Sequence, residues 1–106
     1  MEAALRAIAE PRRREILRLV RDEELSAGEV ASHFDISRPA VSQHLRVLLD
    51  AGLVEERRQG TRRLYRVRPE GLEGLREFLD DFWSTGLRNL KRAAEAETER
   101  SRRGDA

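Results

Sequence analysis

Residues 26–49 read SAGEVASHFDISRPAVSQHLRVLL, and this stretch predicts two helices joined by a tight turn. Ser26 is followed three residues later by Glu29, which is the spacing of a capping box at the start of the first helix. Ser37 is a suitable N-cap for the second helix, because a serine hydroxyl can accept from a backbone N–H of the first turn, and Pro39 is tolerated in that turn. The stretch therefore predicts a helix-turn-helix.

The second of these helices has two chemically different faces. A rotation of about 100° per residue places Val41, Leu45 and Leu48 on one side, which we expect in the core. The opposite side carries polar and basic side chains, namely Arg38, Ser42, Gln43 and Arg46. An α-helix fits the DNA major groove, where glutamine pairs with adenine and arginine with guanine or a phosphate. We interpret this face as a DNA-reading surface. The alternative is an amphipathic helix with a solvated polar face, and the neighbouring elements favour DNA.

Two histidines lie in the motif. His44 is at the border of the core face, so a packed or backbone-bonded ring is favoured, and a DNA contact is kept as the alternative. His33 is expected to be half-exposed. Neither histidine has another ligand at a spacing typical of a metal site.

Two strand patterns follow the motif. After Gly52, the expected end of the second helix, residues 53–58 and 63–68 flank a turn in which Gly60 can take a positive φ. Four arginines surround the tip of this predicted hairpin, namely Arg57, Arg58, Arg62 and Arg63. A basic hairpin tip can follow a phosphate backbone or enter a minor groove. The alternative is a solvated hairpin whose arginines serve solubility.

Helices are predicted on both sides of this centre. Residues 2–9 and 11–21 form two helices before it, and a long helix starts near Glu70 and continues into the nineties. The order of elements predicts a mainly α fold with a small β-hairpin (α+β), a winged helix-turn-helix. We expect residues 1–97 to form this DNA-binding and dimerisation domain, and residues 98–106 to form a charged, frayed or disordered tail.

The long last helix carries an apolar stripe. A monomer of this size cannot easily cover such a helix, so we expect a core shared between two copies. A dimer also suits DNA with two half-sites, and the first helix is expected to join the interface. The predicted interface residues are Leu5, Ile8, Leu75, Leu79, Phe82, Trp83, Leu87 and Leu90.

Charge is unevenly distributed along the 106 residues, although the net charge is only +1. Residues 37–68 hold eight arginines against Asp50, Glu55 and Glu56, a net charge of +5, so a phosphate-binding surface is expected there. The chain has no cysteine, which excludes disulfides and thiolate metal sites. We see neither an apolar run of membrane-spanning length nor a basic-then-apolar leader, and we expect a cytoplasmic protein without membrane contact.

Two stretches and the helix that follows them resemble the ArsR-type (ArsR/SmtB-like) family of bacterial and archaeal repressors. They read LRAIAEPRRREILRLV at 5–20 and ISRPAVSQHLRVLLDAGLVEERRQGTRRLYRV at 36–67. The more specific signal is S-x-P-A-V-S-x-H-L-x-x-L-x-x-A-G-L-V before a basic wing with Gly and Tyr. The resemblance implies a winged helix that dimerises through its first and last helices. It also implies binding to a two-fold symmetric operator that blocks transcription, often of the repressor's own operon. The recognition residues it implies are Ser37, Arg38, Ala40, Ser42, Gln43 and Arg46, with the wing around Arg58 to Arg63.

The chain departs from the metal sensors of that family. Many members use cysteines on the third helix, which here reads LSAGEVASHF. Others use a carboxylate and histidines on the last helix, which here has Glu73, Glu77, Asp80 and Asp81 but no histidine. We therefore expect a metal-independent regulator without a cofactor, whose effector is unknown or absent.

Three other interpretations stay open. A ligand-responsive repressor would hold its effector at the dimer interface near Phe82 and Trp83. A winged-helix protein–protein module would present an acidic or apolar recognition face, and the +5 charge of residues 37–68 argues against it. An enzyme is the third, but we find no nucleophile–base–orienter set, phosphate-binding glycine loop or metal cluster, so we expect no catalysis.

Overall fold

The computed structural model describes residues 1–104, which form five helices and three short strands. In chain order the elements are α1 (Glu2–Ile8), α2 (Pro11–Asp22), β1 (Leu25–Ser26), α3 (Ala27–Ala31), α4 (Arg38–Asp50), β2 (Val54–Gln59), β3 (Arg62–Val67) and α5 (Pro69–Gly104). The predicted mainly α winged helix-turn-helix is confirmed. No helix in residues 1–104 has both the length and the apolar character needed to cross a membrane.

The junction between α1 and α2 is held by side chains that bond to backbone. The Glu10 carboxylate accepts from the Arg13 backbone N–H at 3.0 Å and caps α2. The Arg13 Nε donates to the Ala7 carbonyl at 2.6 Å, and Arg14 donates to the Ile8 carbonyl at 2.6 Å. These arginines satisfy carbonyls at the end of α1 that have no partner within that helix.

The helix-turn-helix begins as the sequence predicts. The Ser26 hydroxyl accepts from the Glu29 N–H at 3.2 Å, and the Glu29 carboxylate accepts from the Ser26 N–H at 3.0 Å, which completes the capping box of α3. The Ser37 hydroxyl accepts from the Ala40 N–H at 3.2 Å and caps α4. Gly52 follows α4 with φ of 74°, a conformation that favours glycine.

The sheet has a strand that the sequence analysis missed. β2 and β3 form the predicted antiparallel hairpin, with Gly60 at φ 63°. β1 adds a third strand, with Leu25 opposite Tyr65 and Ser26 opposite Leu64, so the order is β1-β3-β2. Two residues are too few to show the alternation that marks a strand in a sequence.

The described chain forms two compact units, residues 1–75 and residues 76–104. The first unit has a continuous core to which α1–α4, all three strands and the start of α5 contribute. The buried residues of that core are Ala4, Ala7, Ile16, Val20, Leu25, Val30, Val41, Leu45, Leu48, Leu53, Val54, Tyr65 and Leu75. Leu5 and Ile8 are half-buried against it.

The second unit is a helical segment whose large apolar side chains are exposed. Phe78 and Phe82 stack on one another with ring centroids 6.3 Å apart. The exposed large apolar residues are Phe78, Leu79, Phe82, Trp83, Leu87 and Leu90. Leu75 was predicted to belong with them, but it is buried in the core of the first unit and presents almost no surface.

The last helix is longer than predicted. The charged residues after Thr98 were expected to be frayed or disordered, and α5 instead continues to Gly104. Ion pairs one turn apart, Arg100 with Glu97 and Arg103 with Glu99, fit a helix and add modest stability to it. Asp105 and Ala106 lie outside the described residues, and the division into a domain of residues 1–97 and a tail stays a prediction.

Candidate nucleic-acid interface

One face of α4 is buried and the opposite face is free. Val41, Leu45 and Leu48 are fully buried, as predicted. Arg38, Ser42, Gln43 and Arg46 are exposed, as is the capping Ser37, while Ala40 is half-buried. Only Arg46 among these side chains has an ion-pair partner, with its Nε 3.4 Å from Asp50 Oδ1 on the same exposed surface. The core therefore presents the polar face to solvent, in reach of a large ligand.

His44 differs from the other candidates on α4. Its side chain is only 18% exposed, and its Nδ1 lies 3.5 Å from Arg13 Nη1 and 4.0 Å from Glu10 Oε2. The ring thus packs against the start of α2 rather than standing among the exposed side chains. This placement favours the packed interpretation over the base contact, which remains only a candidate.

The hairpin that forms the wing carries arginines on both of its faces. Partners across an antiparallel ladder share a face, and successive residues alternate between faces. On one face Glu55 is opposite Arg66, Arg57 is opposite Leu64, and Gln59 is opposite Arg62. On the other face Val54 is opposite Val67, Glu56 is opposite Tyr65, and Arg58 is opposite Arg63.

Arg57 and Arg62 contact glutamates that precede the recognition helix in the chain. The Arg57 Nε and Nη2 donate to the two carboxylate oxygens of Glu24 at 2.9 and 3.3 Å. Arg62 pairs with Glu29, the capping-box residue of α3. From the sequence, Glu29 was expected only to cap α3, and Glu24 was expected only to lie in a solvated connection.

The electrostatics of these glutamates follow from their hydrogen bonds. The bond from Arg57 holds the pKa of the Glu24 carboxyl below its ordinary value, with smaller help from the charge of Arg66. The pKa of Glu29 is also lowered, first by its bonds with Ser26 and then by Arg62. Both carboxylates are therefore charged near neutral pH. On the other face of the hairpin, burial raises the pKa of Tyr65.

An open cleft of about 390 Å³ separates the start of the helix-turn-helix from the wing. Its lining combines basic side chains with hydroxyls that can donate to an anion. The lining residues are Ser26, Ala27, Arg38, Thr61, Arg62, Arg63 and Tyr65. The predicted recognition-helix residue Arg38 and the predicted wing residues Arg62 and Arg63 therefore share one concave surface.

Within residues 1–104, no three histidine, cysteine, aspartate or glutamate side chains are grouped in a way that could hold a metal ion. The carboxylates Glu73, Glu77, Asp80 and Asp81, noted in the sequence, form no such group.

Comparison with known proteins identifies the architecture. A model of the family described as "Bacterial regulatory protein, arsR family" matches residues 10–56. The chain is 43% identical over 96 residues to the HTH-type transcriptional regulator Rv2034 of Mycobacterium tuberculosis, covering 91% of this chain and 90% of that one. It is 32% identical over 90 residues to the transcriptional repressor SdpR of Bacillus subtilis, covering 85% of this chain and all of the relative.

Among solved structures, the chain is similar to Mb0332 from Mycobacterium bovis, described as a homodimeric winged helix-turn-helix DNA-binding domain. The TM-score is 0.64 and the identity 30%, over 76% of this chain and 77% of that one. The fold, the helix-turn-helix with its basic wing and the sequence similarity over nearly the whole chain all point to one family. The chain belongs to the arsR family of bacterial transcriptional regulators.

Proposed function

We propose that the protein is a homodimeric repressor that binds a two-fold symmetric operator in double-stranded DNA. The observation that carries the proposal is the division of α4, whose apolar face is fully buried while Arg38, Ser42, Gln43 and Arg46 are exposed. A helix anchored in this way can enter a major groove without disturbing the core. The net charge of +5 in residues 37–68 supports an anionic partner over a protein partner.

The contacts proposed for DNA fall into two classes. Gln43 reads a base, because its amide can pair bidentately with adenine. Ser37, Arg38, Ala40, Ser42 and Arg46 complete the recognition surface on α4, and the wing follows the phosphate backbone. His44 is left as a packing residue in this proposal, in keeping with its contacts to Arg13 and Glu10.

A second copy of the chain is the proposed partner for the apolar side chains of α5. Six large apolar residues from Phe78 to Leu90 are exposed, and patches of this kind mark interaction sites on proteins. The similar M. bovis domain is described as homodimeric. The dimer would place two recognition helices on successive major grooves, which is the geometry that a symmetric operator matches.

Metal independence is part of the proposal. The chain has no cysteine, so the thiolate ligands used by many metal-responsive relatives are missing from its sequence. The proposed role is DNA binding without catalysis, in the cytoplasm where bacterial DNA is found. Regulation by the amount of protein, rather than by a bound effector, is the simplest form consistent with this proposal.

The test measures binding of the purified protein to its own upstream DNA and to a scrambled duplex, with and without chelator. Preferential binding that chelator does not change is expected. Gln43→Ala should weaken the free energy of binding to the operator by about 1–3 kcal/mol, because it removes a base contact. Its effect on binding to the scrambled duplex should be small. Ser101→Ala, an exposed substitution near the far end of α5, should preserve the preference.

Three results would count against parts of this proposal. Equal affinity for both duplexes would contradict a site in the protein's own upstream region. Release by chelator would overturn metal independence. A reporter placed under the protein's own upstream DNA should be expressed more strongly when the gene is deleted, and lower expression would instead identify an activator.

A further inference from the structure

The arginines of the wing differ in whether a carboxylate already holds them. We define the paired face of the hairpin by Arg57, Arg62 and Arg66, and the open face by Arg58 and Arg63. These two sets lie on opposite sides of the ladder, as the register of β2 and β3 shows. Arg57, Arg58, Arg62 and Arg63 could not be distinguished from the sequence, and the structure separates them.

Each arginine of the paired face has its own glutamate. Arg57 binds Glu24 through two nitrogens at 2.9 and 3.3 Å, and Arg66 Nε donates to Glu55 at 2.5 Å. Arg62 pairs with Glu29. Three positive and three negative charges therefore offset one another on this side of the wing.

Two of these glutamates connect the wing to other elements. Glu24 lies immediately before β1, and Glu29 caps α3 through Ser26. The bond from Arg57 to Glu24 therefore ties β2 to the segment that leads into β1, and the bond from Arg62 to Glu29 ties β3 to the first helix of the motif. These two ion pairs add to the pairing of β1 with β3, which already joins the hairpin to the segment before α3.

The open face has the opposite electrostatic character. Arg58 and Arg63 are direct cross-strand partners, and like charges in this position destabilise a hairpin. No aspartate or glutamate oxygen of residues 1–104 lies within 4.0 Å of either guanidinium. Arg63, like Arg62, lines the cleft that Arg38 borders from the start of α4. Two adjacent unpaired guanidinium groups suit an anionic ligand that bridges them.

The two sets would respond differently to a phosphate. A guanidinium that already holds a carboxylate exchanges one anion for another when it binds phosphate, so its net gain is small. A free guanidinium exchanges only water and small counterions, which makes its contribution large and strongly salt-dependent. The paired arginines can therefore hold the wing in place while contributing little to affinity for DNA.

We infer that Arg58 and Arg63, with Arg38 across the cleft, bind the DNA phosphate backbone, whereas Glu24 and Glu29 are positioning residues that hold the wing through Arg57 and Arg62. This inference rests on the proposed function, since it assigns roles within the same DNA interface. It narrows the phosphate contacts of the wing tip from four arginines to two.

The first experiment compares Arg58→Ala and Arg63→Ala with Arg57→Ala and Arg66→Ala, which remove the same group from the other face. The affinity for one operator duplex is measured across a series of salt concentrations. Each open-face substitution should reduce the slope of log K against log salt by about 2 in a dimer, because each copy loses one phosphate contact worth about 0.9. The two paired-face substitutions should reduce the slope much less, because in this proposal neither arginine holds a phosphate of its own.

The second experiment reports on positioning without DNA. Amide hydrogen exchange in β2 and β3 should accelerate in Arg57→Ala and Glu24→Gln. It should not accelerate in Arg63→Ala, which relieves the repulsion between Arg58 and Arg63. The charge-exchanged pair Arg57→Glu with Glu24→Arg should restore the slow exchange, because it rebuilds the ion pair with its ends reversed. A general loss of folding would accelerate exchange throughout the first unit, so it is distinguishable from a loosened wing.

Several outcomes would overturn the inference. Equal loss of slope from both faces would mean that the paired arginines leave their glutamates for phosphate, and no loss from Arg58→Ala and Arg63→Ala would remove the open face from the interface. Unchanged exchange in Arg57→Ala would refute the positioning role. If the unaltered protein bound no duplex even at low salt, the proposed function and the phosphate assignment would both fail, and the exchange measurements would still decide the positioning role.

Discussion

The first 75 residues and the rest of α5 use the same kinds of apolar side chain in opposite ways. In the first unit Ile16, Leu45 and Leu48 are almost completely buried. In the second, Phe82 is 70% exposed, and Trp83 and Leu90 are each 68% exposed. Both sets recur with a helical period, so the pattern alone does not reveal which of them the chain covers by itself.

Within residues 1–104, the large apolar side chains in the core of the winged helix are buried, whereas those of the stripe on α5 are exposed. An aromatic side chain contributes to stability mainly through the area it removes from water. Exposed, Phe82 and Trp83 contribute little in this way, so the proposed second copy is where that free energy would be gained. Two pairs of variants test this difference, and a third pair tests how the start of α5 packs in the first unit.

The largest expected effect separates the two units by their dependence on protein concentration. Leu48→Ala should lower the free energy of unfolding by about 2–5 kcal/mol at every concentration, because it leaves a cavity in a fully buried site. Leu90→Ala should instead cost stability by weakening association, so its effect should change with concentration. Denaturant titrations at several concentrations measure both, and a Leu90→Ala effect independent of concentration would contradict a shared core.

The next effect concerns association directly. Leu79→Asp places a charge in the exposed apolar stripe, and it should raise the dimer dissociation constant at least a hundredfold, about 2.7 kcal/mol. Ser84→Asp introduces the same charge at a position that the helical period turns well away from Leu79, and it should leave the dimer intact. Sedimentation velocity distinguishes the two, and a dimer that survives Leu79→Asp would place the interface elsewhere.

The smallest effect uses two glycines at the start of α5, where the helix belongs to the first unit. A Cβ at Gly71 would lie 1.8 Å from the carbonyl oxygen of Gly52, so Gly71→Ala should lower the melting temperature, with a cost of about 1–3 kcal/mol. A Cβ at Gly74 would meet no atom within 4 Å. Gly74→Ala should therefore stabilise the helix by up to about 1 kcal/mol. If both variants had the same melting temperature, the close approach of α5 to the turn after α4 would be refuted.

The sequence predicted local features well because their causes are local. A serine at Ser26 or Ser37 caps a helix through bonds that span three residues. Gly52 and Gly60 mark turns because of their own backbone conformation. The division of α4 into a buried and an exposed face also follows from helical periodicity. The candidate recognition residues could be predicted because they lie on the exposed face.

The prediction was incomplete where the deciding contact joins residues distant in the chain. β1 exists because Leu25 and Ser26 pair with β3, some forty residues later, and Leu75 is buried because the start of α5 packs into the core of the first unit. Neither contact can be predicted from a window of ten residues.

The sequence by itself determined the winged helix-turn-helix, the polar face of α4 and the basic wing, since propensity, capping and periodicity act over one or two turns of chain. Only the tertiary structure decided which wing arginines are held by carboxylates. Arg57 and Glu24 are separated by 33 residues, and so are Arg62 and Glu29. Ion pairs across such separations depend on strand register and on the packing of the wing beside α3, and a count of charges along the chain contains neither.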